Sequence, residues 1–332
     1  MQKLLSSVAV IGAGTLMLAT ASFAQPSGTA LAPKSGTRLI TLGTRSGPTP
    51  TSGRAQSSNL LVVNGTPYVI DTGEGVTRRL TKLKTNFRNI GTIFITHPHS
   101  DHTEGLGGLL SVIFDANRTD PVNVYGPPGT AASVHGLIEF LTVNSEIRIS
   151  DGTKVTPADK IFSGHDTGAG TIFQDANVKV TAVENTHFHF QPGTPPYGKY
   201  KSYSYRFETP ERVVFFTGDT GPSDAVVELA KGADLYVTET TSPDDVVELF
   251  KRNGAWQAKT PAEQEGFLRH MHEEHVTPED IGKMAAKAGV KAVVMTHIGP
   301  SVTPNDDYQR FVDEAKKYYA GPITLAKDLM KF

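Results

Sequence analysis

Ten residues constrain this chain more than any others: Ile93-Phe94-Ile95-Thr96-His97-Pro98-His99-Ser100-Asp101-His102. An apolar run stops abruptly in three histidines and an aspartate. Ile93 to Ile95 reads as a buried strand, because β-branched and aromatic residues crowd there behind Gly91. His97 and His99 are two apart, so on extended backbone they face the same way. Pro98 between them cannot donate to a ladder and suits a strand end. Asp101 and His102 follow where the chain must turn into its next element. Three imidazoles and a carboxylate on one short turn are the ligand types that divalent zinc, iron or manganese accept. The chain holds 11 His in 332 residues, so three within six is a local excess that a chance polar loop does not explain.

His97-Pro98-His99-Ser100-Asp101-His102 resembles the His-x-His-x-Asp-His signature of the metallo-β-lactamase superfamily. The resemblance implies an α+β, four-layer αββα sandwich over residues 38–332, with a metal site at its edge. It also sets expectations for the other strand ends, taken below in chain order.

Met1-Gln2-Lys3 is a short positive leader, Leu4 to Ala21 is mostly apolar and uncharged, and Ser22-Phe23-Ala24 offers small residues to a signal peptidase. Residues 1–24 read as a signal peptide cleaved after Ala24, which predicts a periplasmic or secreted protein without a membrane anchor after cleavage. Residues 25–37 are rich in Pro, Gly, Ser and Ala and read as a flexible mature N-terminus. The chain has no cysteine, which rules out disulfides, zinc thiolates and a cysteine nucleophile. Any metal must sit on nitrogen and oxygen ligands. The net charge of −2 shows no basic excess, so no clear nucleic-acid surface is expected.

Arg38 to Gly43 reads as the first strand and Thr44 to Ser58 as a polar loop. Leu60–Val63 and Tyr68–Ile70 flank Asn64-Gly65, a hairpin signal. Leu42-Gly43-Thr44 together with Asp71-Thr72-Gly73-Glu74-Gly75 is similar to the opening of the ribonuclease Z branch of the superfamily. That likeness implies that Asp71 holds the histidine loop by hydrogen bonds. Helices are expected at Leu106–Phe114 and Ala131–Leu141. Asn144 to Asp175 reads only as loops and short strands, with His165 and Asp166 as a surface pair. Val178 to Val183 alternates as a half-buried strand, and the third histidine of a first metal is expected after it. His187 fits that spacing better than His189, although both face the same way on extended backbone. Gln191 to Lys201 is a candidate for the substrate mouth. Ribonuclease Z carries a long tRNA-binding arm between this strand and the next. The interval here is too short for one, which points away from tRNA.

Val213 to Phe216 opens into Thr217-Gly218-Asp219-Thr220-Gly221, which matches the family's Gly-Asp-Thr motif and implies that Asp219 bridges two metals. Ala233 to Glu239 is a strand ending in an acid. Residues 242–275 read as a helical cap carrying Trp256 and Phe267. His275 precedes Thr277-Pro278-Glu279-Asp280, a strong helix start. In ribonuclease Z-like enzymes a Glu after the corresponding strand orients a catalytic histidine, which implies the pair Glu239 and His275. Lys291 to Thr296 is the last buried strand and ends in His297, matching the family's ligand for a second metal.

The resemblance therefore implies two divalent ions, zinc by default, with manganese or iron also suited to nitrogen and oxygen donors. His97, His99 and His187 would hold the first, Asp101, His102 and His297 the second, with Asp219 between them. Such a centre activates water for hydrolysis; Asp101 would orient the nucleophile and His275 would protonate the leaving group. The expectation is an exported metal-dependent hydrolase of small-molecule esters, phosphodiesters first. A β-lactamase or a lactone or sulfate-ester hydrolase is the alternative, and a non-catalytic metal-binding or sensing protein the alternative of another class.

Overall fold

A computed structural model describes residues 36–154, 156–300 and 308–332. Strand β1 (Thr37–Gly43) is followed by the hairpin of β2 (Ser58–Val63) and β3 (Thr66–Thr72). Its turn is Asn64-Gly65, with φ of 49° and 84°. Two successive positive φ values are what a two-residue hairpin turn needs to match strand twist. Helix α1 (Val76–Lys82), strand β4 (Thr92–Phe94), the single turn α2 (Ser100–Thr103) and helix α3 (Leu106–Asp115) come next. Strand β5 (Val122–Gly126), helix α4 (Thr130–Ser150), β6 (Phe162–Asp166), β7 (Gly170–Gln174) and β8 (Lys179–Glu184) lead to the middle of the chain. Then follow β9 (Tyr203–Glu208), β10 (Val213–Phe216), α5 (Asp224–Ala230) and β11 (Leu235–Thr241). Helices α6 (Pro243–Arg252), α7 (Pro261–Glu273) and α8 (Pro278–Ala288) precede β12 (Val293–Gly299). Helix α9 (Gln309–Ala315), β13 (Ile323–Leu325) and β14 (Met330–Lys331) close the chain.

The strands form two sheets, β14-β1-β2-β3-β4-β5-β6 and β13-β12-β11-β10-β9-β8-β7. Period-two alternation sorts their side chains into layers. Leu60 and Val62 of β2 pack with α1 and α3, whereas Leu61 and Val63 pack between the sheets. In the second sheet Val214 and Phe216 face the first sheet, and Phe215 faces α5, α8 and α9. Two sheets with helices on both outer faces give the expected four layers.

Strands β3 to β6 run parallel, and so do β10 to β13. Parallel strands bring all their carboxyl ends to one edge of each sheet, where α/β folds build ligand sites. Helix α8 is fixed locally. Thr277 and Asp280 form a reciprocal capping box, Pro278 sits in the first turn, and Gly289 ends the helix at φ 61°.

Two expectations change here, and a third is refined. Helix α4 runs on to Ser150 instead of stopping near Leu141, because no Gly or Pro lies between Leu141 and Gly152. Strand β1 begins at Thr37, inside the stretch read as a flexible terminus, where Glu211 accepts the Thr37 amide at 2.8 Å. His165 and Asp166 are structural: His165 stacks on Tyr125, and Asp166 accepts from the Gly129 and Ala131 amides at the start of α4. The signal-peptide expectation for residues 1–24 lies outside the described residues. Among the described residues, no helix is long and apolar enough to cross a membrane.

Candidate metal centre

The carboxyl ends of β3, β4, β10, β11 and β12 meet at one edge of the sandwich. His97 and His99 leave β4, and the single turn α2 carries Asp101 and His102. His187 follows β8, Asp219 follows β10, Glu239 lies in β11 and His297 in β12. Two of these edges hold uncommon backbone. Asp71 at the end of β3 and His297 have φ of 58° and 43°, left-handed values that non-glycine residues seldom adopt and that cluster at functional sites. Gly218, at φ 60°, serves a related need: a Cβ there would lie 2.9 Å from that of Thr96. Its absence lets the Asp219 turn close onto the histidine loop.

Asp71 ties this loop down. One carboxylate oxygen accepts the Thr96 amide at 2.8 Å, and the other accepts from His102 Nδ1 at 2.8 Å. A carboxylate only accepts, so Nδ1 is the His102 donor to Asp71, and Nε2 is the ring nitrogen left facing Asp219. His187 is set likewise, donating from Nδ1 to the Glu274 carbonyl at 2.9 Å. Its Nε2 stands 3.0 Å from His99 Nδ1. Around Asp219, His102 Nε2 lies at 3.3 Å, His297 Nε2 at 3.3 Å and His97 Nε2 at 3.9 Å. His297 Nε2 is also 3.1 Å from Asp101, whose carboxylate accepts the Gly47 amide at 2.9 Å.

These groups fit divalent metal. His97 Nε2, His102 Nε2 and Asp219 Oδ1 are buried without a hydrogen-bond partner, a costly state unless an ion completes them. The donor atoms of His97, His99 and His187 lie within 4.8 Å of one another, as do those of His97, His102 and Asp219, and of Asp101, His102 and His297. Burial pushes His97 and His187 well below the usual histidine range, so both are neutral, as metal ligands must be. Burial opposes charge on Asp219, but His297 and His102 outweigh it and hold the carboxyl well below its ordinary range.

The structure brings together all nine residues singled out as site residues, and it separates His187 from its rival. His189 is exposed and faces Glu273 at 3.5 Å. Glu239 and His275 form a pair at 2.7 Å between Oε2 and Nδ1, and the other Glu239 oxygen accepts the Thr220 amide at 2.7 Å. Burial weighs against a charged His275, yet Glu239 overcomes it and pushes the imidazole up to about 9.

A cavity of about 510 Å³ opens over the centre, of ordinary size for a small-ligand site. One wall is His99, Asp101, His187, Asp219, His275 and His297; the facing wall is Val246, Leu249, Phe250, Phe267 and Met271 from α6 and α7. Phe267 lines the cavity as expected, whereas Trp256 does not line it and meets Phe267 edge-on. Residues 191–201, expected at the substrate mouth, contribute nothing to this cavity; Arg45 to Thr49 do. The 44–58 stretch read only as a polar loop, and no motif marked it. Thr96, whose hydroxyl bonds the Asp71 carboxylate at 2.9 Å and lies 3.1 Å from His97 Nδ1, was also missed.

A beta-lactamase superfamily domain profile matches residues 66–298. The chain is similar to ribonuclease Z of Methanosarcina mazei, 25% identical over 322 residues, covering 89% of this chain and 97% of that protein. It is also similar to ribonuclease Z of Mycobacterium bovis, 27% identical over 294 residues, covering 88% and 96%. Among solved structures, the short form of human tRNase Z superposes with a TM-score of 0.58 at 23% identity, covering 89% of this chain and 98% of that one. These likenesses correct the expectation of a small-molecule ester partner without a nucleic-acid surface. Relatives matched nearly end to end are ribonucleases by name, which points to nucleic acid. Whole-chain charge averages over every face and cannot report the one face beside the centre, and a short arm speaks to one mode of docking, not to the bond cleaved. By its fold and by this match, the chain belongs to the metallo-β-lactamase superfamily of hydrolases.

Proposed function

We propose that this protein is a dinuclear metal-dependent phosphodiesterase that cleaves RNA, and that the leader at residues 1–24 directs it out of the cytoplasm. The observation that carries the reading is the Glu239–His275 pair at the edge of the ligand cluster. Hydrolysis of an RNA backbone must expel a ribose alkoxide, a poor leaving group that needs a proton as it departs. His275 donates Nδ1–H to Glu239, lines the cavity, and is held in its protonated form by that carboxylate. The ribonuclease relatives support the same bond as target.

His97, His99 and His187 would hold one ion and Asp101, His102 and His297 the other, with Asp219 shared. When bound, divalent ions supply Lewis acidity and a deprotonated water at neutral pH. The protein's own residues do the rest. Asp71 and the Glu274 carbonyl fix the tautomers and ring planes of His102 and His187. Gly47 and His297 hold Asp101 in an orientation from which it accepts a hydrogen bond from the nucleophile and orients it. His275 delivers its Nε2 proton to the departing oxygen. The apolar face of α6 and α7 shields these polar groups from bulk water, which strengthens their interactions.

The test is leaving-group dependence. His275→Ala should lower kcat on an RNA oligonucleotide by on the order of 10²-fold or more, and on a nitrophenyl phosphodiester by only a few-fold. Nitrophenolate leaves without help. Equal losses on both substrates would remove His275 from the proton-donor role, and no RNA cleavage by the wild type would end the reading.

A further inference from the structure

Arg45 sits in the cavity wall, and its side chain has no hydrogen-bond or ion-pair partner among the described residues. Its backbone is pinned on both sides, by parallel bridges to Gln56 and to Ile298, the residue after His297. The Arg45 amide donates to the Ala55 carbonyl at 2.9 Å, and the Ile298 amide donates to the Thr44 carbonyl at 2.8 Å. None of these bonds uses the side chain. The Nε atom is buried without a hydrogen-bond acceptor, and among the described residues no carboxylate or carbonyl bonds the guanidinium. A buried donor left unpaired is costly, and a half-buried cation without a counter-charge adds to that cost. Burial and the neighbouring Arg54 guanidinium both weigh against the charge on Arg45, with Asp101 opposing them only in part. An anion in the cavity removes both penalties.

The position of Arg45 says which anion. It lines the same cavity as His99, Asp101, Asp219, His275 and His297. Arg54 is already engaged, stacking over Tyr308 and donating to its hydroxyl at 3.0 Å. Arg45 is thus the guanidinium left over. We infer that Arg45 binds the phosphate of the substrate, offering its planar fork to the two non-bridging oxygens of a phosphodiester, and so selects anionic phosphodiesters over neutral esters and lactams. Arginine suits that task because its donors match the spacing of phosphate oxygens. The inference rests on the phosphodiesterase reading and names the residue that makes this site prefer phosphate.

Calorimetric titration of inorganic phosphate into metal-loaded wild type, Arg45→Gln and Arg45→Lys tests it apart from turnover. The inference expects the phosphate Kd to rise about tenfold or more in Arg45→Gln and by less in Arg45→Lys, which keeps the charge and loses the fork. Metal content should stay at the wild-type value in both. On an RNA oligonucleotide, KM should rise in parallel. A phosphate Kd within twofold of wild type in Arg45→Gln, or no phosphate binding by the wild type, overturns it. Should the Gln variant fail to fold, Arg45→Lys decides: a clear rise in Kd supports the inference, and an unchanged Kd overturns it. If the wild type cleaves no RNA yet binds phosphate through Arg45, the substrate reading fails and this one stands.

Discussion

The cavity has two walls of different construction. The histidine wall is built from the carboxyl ends of strands, with His187, Asp219 and His297 buried in it and His97, His102 and Glu239 buried behind it. The cap wall is built from α6 and α7, where Val246, Leu249, Phe250 and Phe267 stay half-buried. On the first wall several polar groups are fixed by a second one: Asp71 holds His102, the Glu274 carbonyl holds His187, Glu239 holds His275 and the Gly47 amide holds Asp101. On the second, Phe250 and Phe267 rest on each other with ring centroids 5.0 Å apart, and Lys259 lies over both rings. The difference assigns labour: the strand ends carry chemistry that tolerates little displacement, and the helices carry contacts that can be exchanged without disturbing it.

That division can be broken most sharply at Asp219. Replacing it with Ala removes the group facing His97, His102 and His297, and activity should fall on the order of 10³-fold or more with metal retention impaired. Mass-spectrometric metal content beside RNA turnover checks this. Loss of Glu239 comes next. Glu239→Gln should cost on the order of 10²-fold in kcat and move the alkaline limb of the pH profile downward. The sign follows from the pair: Glu239 raises the His275 pKa, so without it the donor loses its proton at a lower pH. An alkaline limb that stays in place would detach His275 from the rate.

Asp71→Asn tests whether the wall depends on its supports. Metal affinity should drop by about 10–100-fold, and because the Thr96 amide and His102 lose a charged acceptor, stability should fall by about 1–3 kcal/mol. Chemical denaturation of the metal-loaded protein measures both. The smallest effect belongs to the cap. Phe250→Ala should raise KM for RNA by several-fold, in line with about 1 kcal/mol or more for a base stacked on an aromatic ring, with metal content unchanged. A fall in kcat equal to that of Glu239→Gln would erase the distinction between the walls.

The same contrast explains what could be read from the sequence. Strand ends announce themselves, because an alternating or apolar run stops at a Gly, His or Asp and the backbone geometry there is narrow. His97-Pro98-His99-Ser100-Asp101-His102, Thr217-Gly218-Asp219 and the end of β12 at His297 are such places, and Asn64-Gly65 dictates its turn by conformation alone. Arg45 and Phe250 carry no such mark. Arg45 belongs to a loop whose path is set by bridges to Gln56 and Ile298, far apart in sequence. Phe250 lies on a helix whose apolar stripe reads the same whether it covers a core or a cavity. Thr96 escaped notice because a single hydroxyl next to a histidine has no pattern until Asp71 is folded against it.

The proposed ribonuclease depends on two ions held by the buried, unpartnered nitrogens around Asp219, a dependence open to measurement. It is tested most directly by stripping the protein with a chelator and titrating zinc or manganese back while following cleavage of an end-labelled single-stranded RNA. The expected result is no cleavage by the stripped protein and a rise that saturates at two ions per chain. Cleavage that persists after stripping, or a fully loaded protein that leaves the RNA intact, would contradict it.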